Sequence, residues 1–279
     1  MTSMPGEELR ILTYYIADLS LRDQRETMER PFFSLSKRKR MKPIDYTSPD
    51  GKIWIKVSPH QDHGMATIWD ADILIWATSQ IMEAQRQGRP TARLLVFRAF
   101  DLLRSIGRAD RRTGKVPGSR YAELRAALQR LQSTVIRTNM RTLRGNRERT
   151  VETMFSWIDR WCYTRDEGDS DLHAIELSLS PWVYEGVIEQ SRVLSIAREY
   201  FDIEGGLERA IYRIARKHVG QQGEFRISLP VLHDKTGSDS SPKEFRRMLR
   251  DIVRRDRLPD YRVRYTEGDN LVALVAREG

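Results

Sequence analysis

His60 and His63, three residues apart with Asp62 between them, make the one metal-like spacing in the chain. Zinc takes three or four ligands in fixed geometry, and no further Cys or His stands near them in sequence. They fall in "QDHG", a polar turn after a strand, where turn chemistry accounts for the residue types. Asp70-x-Asp72 offers two carboxylates, half of a metal site, yet acidic residues in a first helical turn are also what the helix dipole favours. His218 falls on the apolar face of a helix near its C-terminus and reads as structural. No GxxxxGK[ST] run is present to cradle phosphates, and "EGG" at 204–206 is too short for a nucleotide fingerprint. The histidine–hydrophobic–histidine pattern of a tyrosine-dependent DNA-nicking enzyme is missing as well. The residues therefore predict no enzyme, no cofactor and no metal.

Patterned cations are the chemistry they do offer. In "SSPKEFRRMLRDIVRRDRLPD" (240–260), a helical wheel puts Arg246, Arg247, Arg250 and Arg254 within about 60° of Lys243. Phe245, Met248, Leu249, Ile252 and Val253 gather opposite. Ser241 is an expected N-cap, Pro242 suits the first helical position, and Glu244 completes a capping box. Leu258-Pro259 is the expected stop. Glu244 and Asp251 fall beside the cationic face rather than within it, so the stripe reads as built for an anion.

The 279 residues are 39% hydrophobic and 31% charged, enough for a real core in one large domain or two ordinary ones. Cys162 is the only cysteine, which excludes an intramolecular disulfide and fits a reducing cytoplasm. No apolar run approaches the roughly 20 residues that span a bilayer. "ILTYYIADL" (11–19) is too short, carries Asp18 and lacks the basic flank of a signal peptide. A cytoplasmic protein without a membrane partner is expected.

The net charge of +9 is unevenly spread. Residues 98–150 hold 14 Lys/Arg against 4 Asp/Glu, 151–210 hold 5 against 13, and 211–264 hold 14 against 7. Two basic blocks around an acidic one predict two polyanion-binding surfaces on a bipartite molecule.

The elements that must carry these surfaces follow from pattern. A helix is expected around Leu12, Tyr15, Ile16 and Leu19, then an arm or linker over 31–43, then a strand over 51–60. A short strand leads into a helix capped by Asp70 and ended by Gly88. Strand 92–97, helix 98–108 and a helix from about 120, capped by Ser119 and facing inward with Tyr121, Leu124, Leu128 and Leu131, come next. Strands are expected over 133–141, 153–165 and 172–181. The second half offers helix 207–220, strand 224–229, short helix 230–237, the basic helix and a hairpin over 261–277. Short helix, turn, basic helix and hairpin thus occur twice, the layout of a winged helix. The predicted fold is α+β: an N-terminal helix and basic arm (1–48), then two tandem winged-helix domains (49–192 and 193–279).

"ERPFFSLSKRKRMKPIDY" (29–46), "ATIWDADILIWATSQI" (66–81), "FDLLRSIGR" (100–108) and "LRAALQRLQSTVIRTN" (124–139) resemble the plasmid replication initiator proteins of the replication initiator protein A type. The resemblance covers most of the chain from about residue 25 and is stronger in the first half. It implies tandem winged helices that bind repeated double-stranded sequences (iterons) at a plasmid origin and recruit a host initiator and replicative helicase. It also implies repression of the protein's own promoter, no enzymatic activity, and compatibility with a homodimer. On that reading Lys243, Arg246, Arg247 and Arg250 meet base edges and flanking phosphates in a major groove. Arg254, Arg255, Arg262 and Arg264 hold the backbone. In the first domain Arg125 and Gln129 reach bases past Ala122 and Ala126. The loops at 108–115, with Arg111, Arg112 and Lys115, and at 141–149, with Arg144 and Arg147, rest on phosphates. A winged-helix repressor without a replication role needs the same helix, and an origin-nicking enzyme is the alternative from another class.

Overall fold

The computed structural model describes residues 11–12, 19–140, 142–144, 147–149, 152–165, 173–189 and 192–277. For 11–12, 142–144, 147–149, 164, 165 and 173 it describes the backbone alone. Ile11–Leu12 (β1) is a strand, parallel to residues 94–95, where a helix was expected. A ladder partner for a β-branched residue outweighs the helical spacing here; residues 13–18 of the expected helix lie outside the described residues. Arg22–Gln24 (β2) and the single turn Arg25–Met28 (α1) follow.

The expected arm at 31–43 is packed into the body. Phe33 stacks on Trp157 with ring centroids 4.6 Å apart, and Phe32 meets the same indole edge-on at 5.6 Å. Burying each phenylalanine contributes about 1.5–3 kcal/mol, which explains why a proline-led aromatic pair docks here. Ile44–Thr47 (β3) and Trp54–Ser58 (β4) form an antiparallel pair whose alternation turns Ile44, Tyr46, Ile55 and Val57 inward.

Ahead of the next helix the expected strand is reduced to a single bridge between Ser34 and Thr67. Ala71–Arg86 (α2) is buried at every position from Ala71 to Ile81, the polar Asp72, Thr78, Ser79 and Gln80 included, so it runs through the interior. Asp70 occupies its N-cap position in helical backbone conformation and makes no cap bond. Leu94–Arg98 (β5) leads into Ala99–Ser105 (α3), which ends at Gly107, φ +73°. Gly118–Ser133 (α4) starts after Pro117, so Ser119 lies in its first turn and is not the cap.

Val135–Thr138 (β6), Thr142–Arg144 (β7), Arg147–Arg149 (β8), Thr153–Phe155 (β9), Ile158–Arg165 (β10) and His173–Leu179 (β11) follow. The 153–165 segment is therefore two strands, bent at Trp157, which is buried. Pro181–Ile188 (α5) is capped by Ser180, and Val193–Ser195 (β12) pairs with β2. Gly206–His218 (α6), Glu224–Ser228 (β13), Leu229–Thr236 (α7), Pro242–Arg255 (α8), Tyr261–Thr266 (β14) and Leu271–Ala276 (β15) complete the chain.

One order occurs twice: helix, strand, helix, helix, hairpin. The first copy is α2, β5, α3, α4, β10, β11, and the second is α6, β13, α7, α8, β14, β15. Each hairpin folds back so that its second strand pairs with the strand before the helices: β5-β11-β10 in one sheet, β13-β15-β14 in the other. In the first copy residues 135–155 are interposed, and β6 and β9 extend the β3-β4 sheet.

The copies meet along α6. Arg209, Arg213 and Lys217, four residues apart, line one side of it. Arg209 donates to Asp72 Oδ1 at 2.6 Å and to the carbonyls of Ile203 and Phe201, while Arg108 takes the other Asp72 oxygen at 2.9 Å. Burial raises the Asp72 carboxyl and the two guanidiniums oppose that; burial likewise works against the Arg209 charge, and Asp72 overcomes it. Arg213 donates to Asp23 at 2.8 Å and to Thr27 at 2.9 Å. Lys217 binds Glu29, which also has His218 Nε2 at 2.8 Å and Lys235 Nζ at 3.5 Å.

Candidate nucleic-acid interface

Helix α8 buries Phe245, Leu249 and Ile252 and leaves Lys243, Arg247, Arg250, Arg254 and Arg255 exposed, with Arg246 half-buried. The Ser241 hydroxyl accepts from Glu244 N at 3.2 Å. The reciprocal half of the capping box is not formed, because the Glu244 carboxylate accepts two bonds from Arg247 at 2.6 and 3.0 Å. Asp256, in the left-handed region (φ 46°, ψ 49°), ends the helix well before Pro259. Its carboxylate is fixed by Arg277 at 2.6 Å and Arg262 at 3.0 Å and is held below its usual pKa, first by Arg277.

The expected bare cationic stripe is instead studded with carboxylates. Arg250 forms a two-pronged pair with Glu267 at the hairpin tip, 2.8 and 2.9 Å. Arg247 reaches Asp251 as well as Glu244, and Arg254 reaches Asp251 at 2.7 Å. Arg246 donates to the Tyr265 hydroxyl at 3.1 Å. Among the described residues, Lys243, Arg255 and Arg264 have no hydrogen-bond or ion-pair partner. A wheel drawn from one helix cannot register Glu267, which arrives from the hairpin. Exposed pairs of this kind contribute little, so a phosphate or a guanine edge offering two acceptors can replace the carboxylate.

On α4, Arg125 is exposed with its guanidinium 5.1 Å above the Tyr163 ring of β10, and Gln129 is half-buried beside it. Ala122 is exposed and Ala126 half-buried. Each copy therefore has one helix leaning on one hairpin. In the loop before α4, Asp110 accepts from the backbone of Arg112 and Thr113, fixing a turn that projects Arg112 and Lys115. Arg111 is committed to Asp202 at 2.5 Å. Arg108, expected on phosphate with that loop, is drawn inward by Asp72. Arg144 and Arg147 face each other across the β7–β8 ladder, and their side chains lie outside the described residues.

Asp70 and Asp72 serve as anchors. Asp70 receives both prongs of Arg130, each at 2.8 Å, and so fixes α4 to the start of α2. The sequence signal was the pair of carboxylates itself, whose partners lie 36 to 137 residues away. The His60 and His63 rings stack at 5.0 Å, and no group of three metal-ligating side chains occurs among the described residues. His218 stacks on Phe225 at 4.4 Å. No helix of the described residues is long and apolar enough to cross a membrane.

Comparison with known proteins sets this geometry in a family. The family model described as "Replication initiator protein A" matches residues 22–263. The chain belongs to that family. The "Putative replication protein" of Wigglesworthia glossinidia brevipalpis is 34% identical over 275 residues, covering 96% of this chain and 94% of that protein. Among solved structures, domains 2 and 3 of RctB align over 88% of this chain and 95% of theirs, with a TM-score of 0.62 at 14% identity. A second RctB structure, spanning its residues 155–483, gives 0.56 at 13% identity with the same coverage. At these identities the likeness is one of fold, and it extends over both copies of the repeated order.

Proposed function

We propose that this initiator acts through two winged-helix units, bounded near residues 49–192 and 193–279, that read repeated double-stranded DNA at a plasmid origin. Helix α8 enters a major groove with Lys243, Arg246, Arg247 and Arg250 near base edges, while Arg254, Arg255, Arg262 and Arg264 meet phosphates. Helix α4 presents Arg125 and Gln129 in the equivalent place, and Arg111, Arg112, Lys115, Arg144 and Arg147 flank it. One observation carries this reading: the same helix–hairpin arrangement occurs twice in one chain, with Arg125 exposed on α4 and Arg247, Arg250 and Arg254 exposed on α8. The bound initiator recruits the host initiator and replicative helicase and represses its own promoter when that promoter holds the same repeats. It does so without cutting DNA.

Footprinting on DNA flanking its own gene, with affinities measured across salt, tests the reading. Two contact regions on one duplex, with a log–log salt slope of roughly −0.9 per neutralised phosphate, are expected. A slope near −2 for the intact chain would leave one surface only. Loss of the gene should abolish plasmid maintenance, whereas a mere repressor would only be derepressed. Relaxation of supercoiled origin DNA with a divalent metal would overturn the non-enzymatic reading.

A further inference from the structure

Residues 35–42, "LSKRKRMK", cross the molecule between its two copies. Upstream they are fixed by the buried Phe32 and Phe33 and by Ser34, whose N–H donates to the Ala66 carbonyl and whose carbonyl accepts from Ile68 N, both at 2.9 Å. Downstream the chain enters β3 at Ile44. Between these points Arg40 turns inward, only 9% exposed, donating to the Gly237 carbonyl at 2.7 Å and to that of Lys42 at 3.0 Å. Lys39 lays its stem on Gly64, where a Cβ would stand 2.8 Å from Lys39 Cγ. Lys37 lies 5.1 Å over the Trp69 ring, in a groove shared with Arg120 and Ala127 of α4.

Those anchors define where the strap runs. Gly237 closes α7, just ahead of the Ser241 cap of α8. Arg120 lies in the first turn of α4. The strap thus joins the N-terminal ends of both exposed helices, and its step from Lys37 to Arg40 spans at most about 11 Å of chain. Lys37, Arg38, Lys39 and Lys42 are exposed, and among the described residues none of them has a carboxylate partner. That distinguishes them from the arginines of α8, which are mostly ion-paired. Four uncompensated cations on a backbone fixed at both ends meet an anion without the cost of ordering that backbone.

We infer that residues 37–42 form a third DNA-contacting element, a strap that lies on duplex phosphates between the segments held by α4 and α8. This rests on the DNA-reading proposal above. The test replaces Lys37, Arg38, Lys39 and Lys42 together by glutamine in the full chain, leaving Arg40 intact. The probes are a duplex carrying the repeat beside the protein's own gene and a random duplex of equal length. Both should weaken by the same factor, with the salt slope shallower by roughly 2–4. Hydroxyl-radical protection between the two groove contacts should disappear while the flanking protection remains. A variant with Lys37, Lys39 and Lys42 changed to arginine should keep the wild-type slope, and the pair Lys37→Gln/Arg38→Gln should give about half the change should the fourfold variant misfold. An unchanged slope and footprint in the glutamine variants, with wild-type binding intact, would overturn the strap alone. Absence of duplex binding by the wild type would overturn the DNA reading and the strap with it.

Discussion

Replacing Asp72 by alanine tests whether α6 is locked to the first copy. The Asp72 side chain is fully buried, and that of Arg209, which it binds at 2.6 Å, is 1% exposed. Without the carboxylate, Arg209 keeps its bonds to two carbonyls but is left buried beside Arg108 without the group that paired with both. Breaking one partner of a buried pair costs roughly 3–5 kcal/mol. At about 2 °C per kcal/mol for a chain of this size, the thermal midpoint should fall by about 6–10 °C. Urea and thermal unfolding of D72A, R209M and the double variant supply the measurement. The double variant should cost less than the two single changes combined, with a coupling of about 0.5–3 kcal/mol. A D72A cost below 1 kcal/mol with additive behaviour would mean that Arg209 reaches water and the seam stands open in solution. The reasoning would then fail.

Arg246→Ala, Arg247→Ala and Arg250→Ala should each lower affinity for the cognate repeat by roughly ten- to a hundred-fold and relax preference at one position, read by binding to a panel of altered repeats. Arg262→Ala should weaken cognate and random DNA equally and make the salt slope shallower by about 1. Glu267→Gln frees Arg250, so binding to random DNA should strengthen and its salt slope steepen by about 0.9, an effect absent when Arg250 is already alanine. Burial would raise the Glu29 carboxyl, but His218, Arg30 and Lys217 hold it well below the ordinary range. Its stabilising contribution is therefore complete above the unfolded value of 4.5 and is lost as pH falls toward the folded one; Glu29→Gln should flatten the acid limb of a stability–pH curve.

What was legible in the sequence followed local pattern. Helix α8 declares itself because Phe245, Leu249 and Ile252 recur at helical spacing behind a serine cap and a first-turn proline, all within one stretch. Strands β13 to β15 likewise follow from alternation and a glycine turn. The errors arose where distant residues decide. "PFFSLSKRKR" has the composition of a linker, and only Trp157, more than a hundred residues later, gives its phenylalanines somewhere to go. Asp70 and Asp72 look like dipole complements until Arg130, Arg108 and Arg209 arrive from three other elements. The basic block 211–264 suggested one surface, but Arg213 and Lys217 point into the seam, where their partners Asp23 and Glu29 come from the N-terminal region. Regional charge counts cannot separate an internal cation from an external one.

The carboxylates on the α8 face change how that face would discriminate. A bare stripe of arginines binds any phosphate, so its affinity would be largely non-specific. Here Arg250 already has two acceptors in bidentate geometry from Glu267, and Arg247 has the same from Glu244. Neutralising an arginine in this way removes counterion-release binding that any duplex offers, while guanine O6 and N7 still reproduce both bonds once the helix is seated in the groove. The carboxylate therefore raises the threshold for random DNA more than for the right base. Because Glu267 belongs to the hairpin and Arg250 to the helix, displacing the pair would remove one of the ties between them, and on the proposed reading base contact and hairpin placement would be coupled. The strap at 37–42 has no such carboxylates, in keeping with a part that holds backbone wherever the helices have found their sequence.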